Sequence, residues 1–260
     1  MGFFDRLKNS WNIFKLSFSL LSKDKSLIAI PVLMLLSFFI FILLFIPLSI
    51  ISGDLINSNY FYIIVIITMI LFYLWTTFLA AAQSWMVYEV LQGKDTTVKS
   101  GLKRAINNLL DIIAFVSVMI VIRIFSSWLR NKGRIGGYAG GFIDYISGIA
   151  GKLVLPAMIV TERNFKEAVE QLKHSIKVIP EIATYEIGIR PLTTLTIFIG
   201  LFLSFLFGIS FGLFIGIIFF FIIILFITLL SVYINNTYYT ILYLTLIEKK
   251  KIKGLNLFKT

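Results

Sequence analysis

Apolar residues in this chain fall into two patterns: long unbroken runs, and short stretches in which they recur every third or fourth position. Residues 27–51 are apolar apart from Ser and two prolines, and at 1.5 Å per residue they are long enough to cross a hydrocarbon layer of roughly 30 Å with some tilt. The polar turn Gly53-Asp54-Leu55-Ile56-Asn57-Ser58-Asn59 leads into residues 60–88, which carry no charge before Glu89 and predict a returning span. Residues 109–129, containing Arg123, predict a third span. The Gly-rich stretch 136–161, containing Asp144 and Lys152, predicts a fourth. From Leu192 to Ile247 there is no charged residue, and because that stretch is too long for one crossing it must turn near Gly208 to Gly212. The pattern predicts an all-α integral membrane protein with six transmembrane helices arranged as three hairpins, in a single membrane domain over 1–260.

An amphipathic segment precedes each hairpin, at residues 4–21, 97–109 and 164–178. The first has Phe4, Leu7, Trp11, Phe14, Phe18 and Leu21 on one stripe and charges opposite; the second has Val98, Leu102, Ile106, Leu109 and Ile113; the third has Phe165, Val169, Leu172, Ile176 and Ile179. Their openings are alike: Leu7-Lys8-Asn9-Ser10-Trp11, Leu102-Lys103-Arg104-Ala105-Ile106 and Leu172-Lys173-His174-Ser175-Ile176. We read a threefold internal repeat, with units 1–92, 93–162 and 163–260, each opening on an interfacial helix that lies flat in the headgroup region. Trp11, Phe14 and Phe18 are the expected interfacial anchors. Each returning span also closes on a carboxylate: Glu89, Glu162 and Glu248. Such a Glu can simply meet water or a neighbouring Lys, or the three can ring a shared interior, and the sequence leaves both readings open.

Composition restricts the chemistry. At 58% hydrophobic, 14% charged and a mean hydropathy of +0.94, the 260-residue chain does not suit water as its solvent. Zero Cys and the single His174 remove thiolate nucleophiles, disulfides, His-pair metal sites and Ser-His-Asp triads, so no enzymatic activity, cofactor or metal is expected. The net charge of +11 is a juxtamembrane charge, not a nucleic-acid signal, because the Lys and Arg cluster between spans. Residues 1–26, 91–108, 161–191 and the tail after Glu248 hold most of them and fall on one side of six spans, so both termini are expected in the cytoplasm. Arg130, Lys132 and Arg134, at the tip of the second hairpin, dissent. The first apolar run is too long for a cleavable signal peptide, and Arg6 stands where a myristoylation motif wants Ser or Thr, so neither is expected.

Three features invite a site. Arg123 and Asp144 lie about ten residues on either side of the 131–135 turn, which predicts an intramembrane ion pair, or part of a solute path. Gly133, Gly137 and Gly141, like Gly208, Gly212 and Gly216, recur every fourth residue, a helix-packing spacing that serves either the monomer or a subunit interface. The run Leu155-Pro156-Ala157-Met158-Ile159-Val160-Thr161-Glu162, with Ala168-Val169, Leu172-Lys173-His174-Ser175 and Pro180-Glu181, resembles an uncharacterised family of prokaryotic six-span membrane proteins. The opening Gly2-Phe3-Phe4-Asp5-Arg6, Trp11, Lys23-Asp24-Lys25 and the segment from Gly93 to Ala105 are similar to it too. Ile179-Pro180-Glu181 departs from the family's Trp-Gly-Glu. The resemblance implies six spans and a prokaryotic cell membrane but no activity. Three basic amphipathic helices on one leaflet favour a non-enzymatic membrane scaffold or accessory subunit that binds anionic headgroups and self-associates. A channel or transporter for a small, anionic solute through the second hairpin is the rival reading.

Overall fold

The computed structural model describes residues 3–51, 59–173, 182, 184, 186 and 190–249, and the described residues are all-helical. Helix α1 spans Phe3–Lys23 and is followed by a single 3-10 turn, Lys25–Ile28, whose start is capped by Asp24. The first hairpin is α2, Ala29–Ile51, and α3, Asn59–Leu91. After a short helix α4, Val98–Asn107, capped by Thr97, come α5, Leu109–Arg130, and α6, Gly133–Thr161. Helix α7, Phe165–Lys173, precedes α8, Arg190–Phe211, and α9, Leu213–Leu242, which runs on into a π-turn at Tyr243–Ile247. His174, Ser175, Ile176, Ile179 and Lys250 lie outside the described residues.

Five helical stretches are long and apolar enough to cross a membrane: Lys25–Leu44, Tyr62–Leu91, Leu109–Arg130, Gly133–Thr161 and Phe214–Ile247. The apolar part of α8 with described side chains, Phe198–Phe211, is shorter. The turn expected near Gly208 to Gly212 is at Gly212, whose φ of +98° favours a residue without a Cβ.

The second helices of the hairpins, α3, α6 and α9, pack against one another. Leu79, Ala82 and Met86 of α3 are buried there with Ala157, Met158 and Ile159 of α6 and Ile241 and Leu242 of α9. This packing occupies only the end at which α3, α6 and α9 finish, here termed the base. Toward the opposite tips the apolar side chains are exposed: Ile63, Ile66 and Leu71 on α3, Ile135 and Phe142 on α6, Phe214 and Phe221 on α9. The described residues form a packed base with three apolar arms, and in an apolar solvent bare arms carry no desolvation penalty.

The amphipathic helices close the base, and each sits on the inner helix that precedes it in the chain: α4 on α3, α7 on α6. Helix α1, the first of the described helices, packs on α9. Its buried line is Ser10, Ile13, Ser17 and Leu20, one position out of register with the large apolar stripe, which stays partly outward with Phe4 82% and Trp11 40% exposed. The same offset holds in α4, where Gly101 and Ala105 are buried and Ile106 is exposed. The small residues make these contacts because they allow close approach: a Cβ on Gly101 would lie 2.8 Å from both the carbonyl oxygen of Ala82 and Cγ of Met86. Tyr233 Oη donates to the Ser17 carbonyl at 2.8 Å, while Tyr238 Oη donates to Ser10 Oγ at 3.2 Å. Lower numbers on α1 meet higher numbers on α9, so α1 is drawn back alongside α9 instead of lying clear of the bundle.

Candidate functional site

Where the three inner helices begin to part, an open cavity of about 340 Å³ lies between them. Its walls come from every hairpin: Tyr73, Thr76, Thr77 and Ser84 of α3, Arg123 of α5, Gly148, Lys152 and Pro156 of α6, and Asn235, Asn236 and Tyr239 of α9. Polar groups are expected at such a depth only if they are partnered or wet. Most are partnered. Asn236 Nδ2 donates to Gln83 Oε1 at 2.9 Å, and Gln83 Nε2 to the Tyr233 carbonyl at 3.3 Å, tying α9 to α3. Thr240 Oγ1 donates to Ser84 Oγ at 3.1 Å. Lys152 Nζ is 2.7 Å from Glu186 Oε1, and Tyr239 Oη donates to the same oxygen at 2.6 Å. Glu186 is the counter-charge of Lys152, a role the sequence conceals because the two are far apart in the chain and Lys152 is close enough to a span end to reach water by itself.

The expected Arg123–Asp144 ion pair is not formed. Asp144 Oδ2 is 2.7 Å from Arg130 Nη1, and Ser126 Oγ donates to Oδ1 at 2.5 Å. Arg123 instead lays its guanidinium over the Tyr73 ring, 4.8 Å from the centroid, a cation–π contact with α3. The depth match counted residues from the turn and ignored the reach of the side chain. Arg130, one face-repeat after Arg123, runs along α6 over Gly140, where a Cβ would lie 2.7 Å from its Cγ.

Within the monomer, the second hairpin does not pack through Gly133, Gly137 and Gly141. Gly137 and Gly141 meet nothing within 4 Å, and Gly133 only opens α6 with φ +81°. The close approach belongs to the neighbouring pair: a Cβ on Gly136 would lie 2.3 Å from the Leu129 carbonyl oxygen, and one on Gly140 2.4 Å from that of Ser126. In the third hairpin Gly208 and Gly216 face each other, a Cβ on Gly216 reaching 2.6 Å from Gly208 Cα, while Gly212 makes the turn.

The three closing carboxylates each have their own partners at the base. Glu89 accepts from Thr96 and Ser100 hydroxyls, both at 2.6 Å, clasping α4 to α3. Glu162 pairs with Arg104 at 2.7 Å, and Arg104 also stacks over Trp85 with its carbon 4.5 Å from the ring centroid. Glu248 accepts from Arg163 at 2.6 Å, Gln171 at 2.8 Å and Tyr243 at 2.9 Å. Burial raises the Glu248 carboxyl, but these donors outweigh it and hold the group below its ordinary value, while its hydrogen bond raises the Arg163 guanidinium. No group of three metal-ligating side chains, Glu89, Glu162 and Glu248 included, occurs among the described residues.

Aromatic placement divides. Trp11, Phe14 and Phe18 form one partly exposed cluster, Trp11 and Phe14 stacked with centroids 5.2 Å apart and Phe14 and Phe18 edge to face with centroids 5.1 Å apart. Tyr238, Tyr239 and Tyr243, which resemble interfacial anchors in sequence, are buried in the base. No protein-family model matches this chain, and neither a curated protein nor a solved structure matches it.

Proposed function

We propose that the protein is a non-enzymatic membrane-organising subunit of a prokaryotic cell membrane, with six spans and both termini in the cytoplasm. Its basic, aromatic base is wedged into the anionic headgroups of the inner leaflet. The observation that carries this reading is the base itself: α1, α4 and α7 close it, each seated on an inner helix, with Phe4, Trp11 and Phe18 turned outward. A threefold repeat accounts for the seating, since α1 on α9 completes a cycle begun by α4 on α3 and α7 on α6. The alignment of Ser10 with Ala105, both buried small residues, supports the same repeat. The sixth span is α8, paired with α9 through Gly208 and Gly216. Likeness of the Leu155 to Glu162 run to the uncharacterised six-span family is consistent with this architecture, and self-association would cover the arms.

A second reading, passage of a small anion, draws on the cavity. Its walls involve all three hairpins, whereas Asp144, in the hairpin expected to carry the path, is turned away onto Arg130. Reconstitution of the full chain into vesicles of phosphatidylglycerol and phosphatidylcholine tests both readings. Dense incorporation is expected to deform the anionic vesicles, and the triple change Phe4→Ser, Trp11→Ser, Phe18→Ser to abolish deformation while the protein stays folded. Unchanged vesicle shape at high density, or protein-dependent phosphate flux, would replace this reading with the second.

A further inference from the structure

Two donors in the cavity have no hydrogen-bonding or ionic partner among the described residues. Arg123 contributes its guanidinium to the Tyr73 ring alone, and no carboxylate lies within ion-pair distance of it. Asn235, half-buried on α9 and lining the same cavity, makes no side-chain hydrogen bond. The remaining charges nearly cancel, Lys152 being neutralised by Glu186, so the cavity retains about one positive charge, that of Arg123. Gly148 opens space beside these groups, since a Cβ there would meet nothing within 4 Å. Arg123 is exposed on α5 and shares the lining of this pocket with the half-buried Asn235; an unpaired guanidinium beside an amide donor is a receptor for a planar or tetrahedral oxyanion, which Arg holds by two parallel N–H donors. Thr76 and Thr77 do not compete for it, as their hydroxyls already donate to the carbonyls of Phe72 and Tyr73.

We propose that this cavity is an oxyanion-binding site in which Arg123 supplies the charge and Asn235 the second donor. The phosphate comes either from free inorganic phosphate or from the headgroup of an anionic phospholipid entering between the parted hairpins. The volume of about 340 Å³ admits either a phosphate ion or a phosphoglycerol headgroup. This assignment is independent of the membrane-organising role, which rests on the base.

The test is thermal unfolding of the full chain, purified in a neutral, lipid-depleted detergent, against rising inorganic phosphate, dioctanoyl phosphatidylglycerol or dioctanoylglycerol. A ligand that binds only the folded state raises the melting temperature with concentration. Phosphatidylglycerol is expected to raise it and dioctanoylglycerol not. A rise with phosphate as well identifies a free-anion site, and a rise with the lipid alone identifies a headgroup site. Arg123→Gln and, separately, Asn235→Leu are expected to weaken binding about tenfold or more, from the loss of a charge-assisted or buried hydrogen bond. Arg130→Gln, which alters a charge outside the cavity, should bind as the parent does. No rise with phosphate or phosphatidylglycerol overturns the assignment, as does an equal rise with dioctanoylglycerol or undiminished binding by both cavity variants. Native mass spectrometry of the unmutated protein with the same lipids decides the question if the variants do not fold: equal retention of the two lipids counts against the site.

Discussion

Asp144 is held by Arg130, 2.7 Å away, while Arg123, the arginine nearer its expected depth, turns to Tyr73. With Ser126 the pair makes a small network that joins α5 to α6. Arg130→Leu and Asp144→Leu are therefore expected to be non-additive in thermal unfolding, whereas Arg123→Leu and Asp144→Leu should add. The coupling is expected on the order of 1 kcal/mol, since 48% of the Arg130 side chain is exposed. Strict additivity of Arg130 with Asp144 would show that the contact carries no energy.

Packing of the second hairpin depends on which glycines face the partner helix. Gly140→Ala places a methyl group 2.4 Å from the Ser126 carbonyl oxygen and should cost about 1–3 kcal/mol as the helices are pushed apart. Gly141→Ala enters open space and should be neutral or slightly stabilising, because Ala is the better helix former. Melting temperatures in detergent compare the two, and equal losses would contradict the 136/140 register.

Two tyrosines pin α1. Removing the hydroxyl in Tyr238→Phe leaves Ser10 without that partner and is expected to cost roughly 0.5–1.5 kcal/mol. The loss should be local. Hydrogen exchange across residues 4–21 should quicken in Tyr233→Phe plus Tyr238→Phe more than exchange in α5 or α6, and uniform quickening would mean that α1 is held by other contacts.

Acid should loosen the base. Glu248 and Asp24 both have carboxyl groups held below their ordinary values of 4.5 and 3.8: burial acts against this, and the hydrogen bonds from Gln171, Arg163 and Tyr243 to Glu248, and from Ser26 and Thr96 to Asp24, prevail. A carboxylate depressed in the folded state adds stability that is fully present above its unfolded value and is lost as pH falls through the folded one. Unfolding midpoints should accordingly hold steady above about pH 4.5 and decline below it. The decline should be shallower in Glu248→Gln, whose neutral-pH stability is already lower. An identical acid profile in that variant would remove Glu248 from the account.

Long apolar runs, without charge over 27–51 and 60–88 and with two charges each over 109–129 and 136–161, are enough to predict those helices and the break near Gly212, because in lipid a backbone must satisfy its own hydrogen bonds and a helix does so locally. Periodicity likewise predicted α1 and α4, and α7 as far as Lys173. The facing of those helices was beyond periodicity. Where the surroundings are apolar, large side chains gain little by turning inward, and the small residues Ser10, Gly101 and Ala105 take the contact face because they permit close approach. The same competition gives the contact between α5 and α6 within the monomer to Gly136 and Gly140. The tertiary structure alone decided the charge partners, Arg130 with Asp144 and Lys152 with Glu186: a long side chain reaches across two turns, and sequence spacing gives its starting level but neither its direction nor its end.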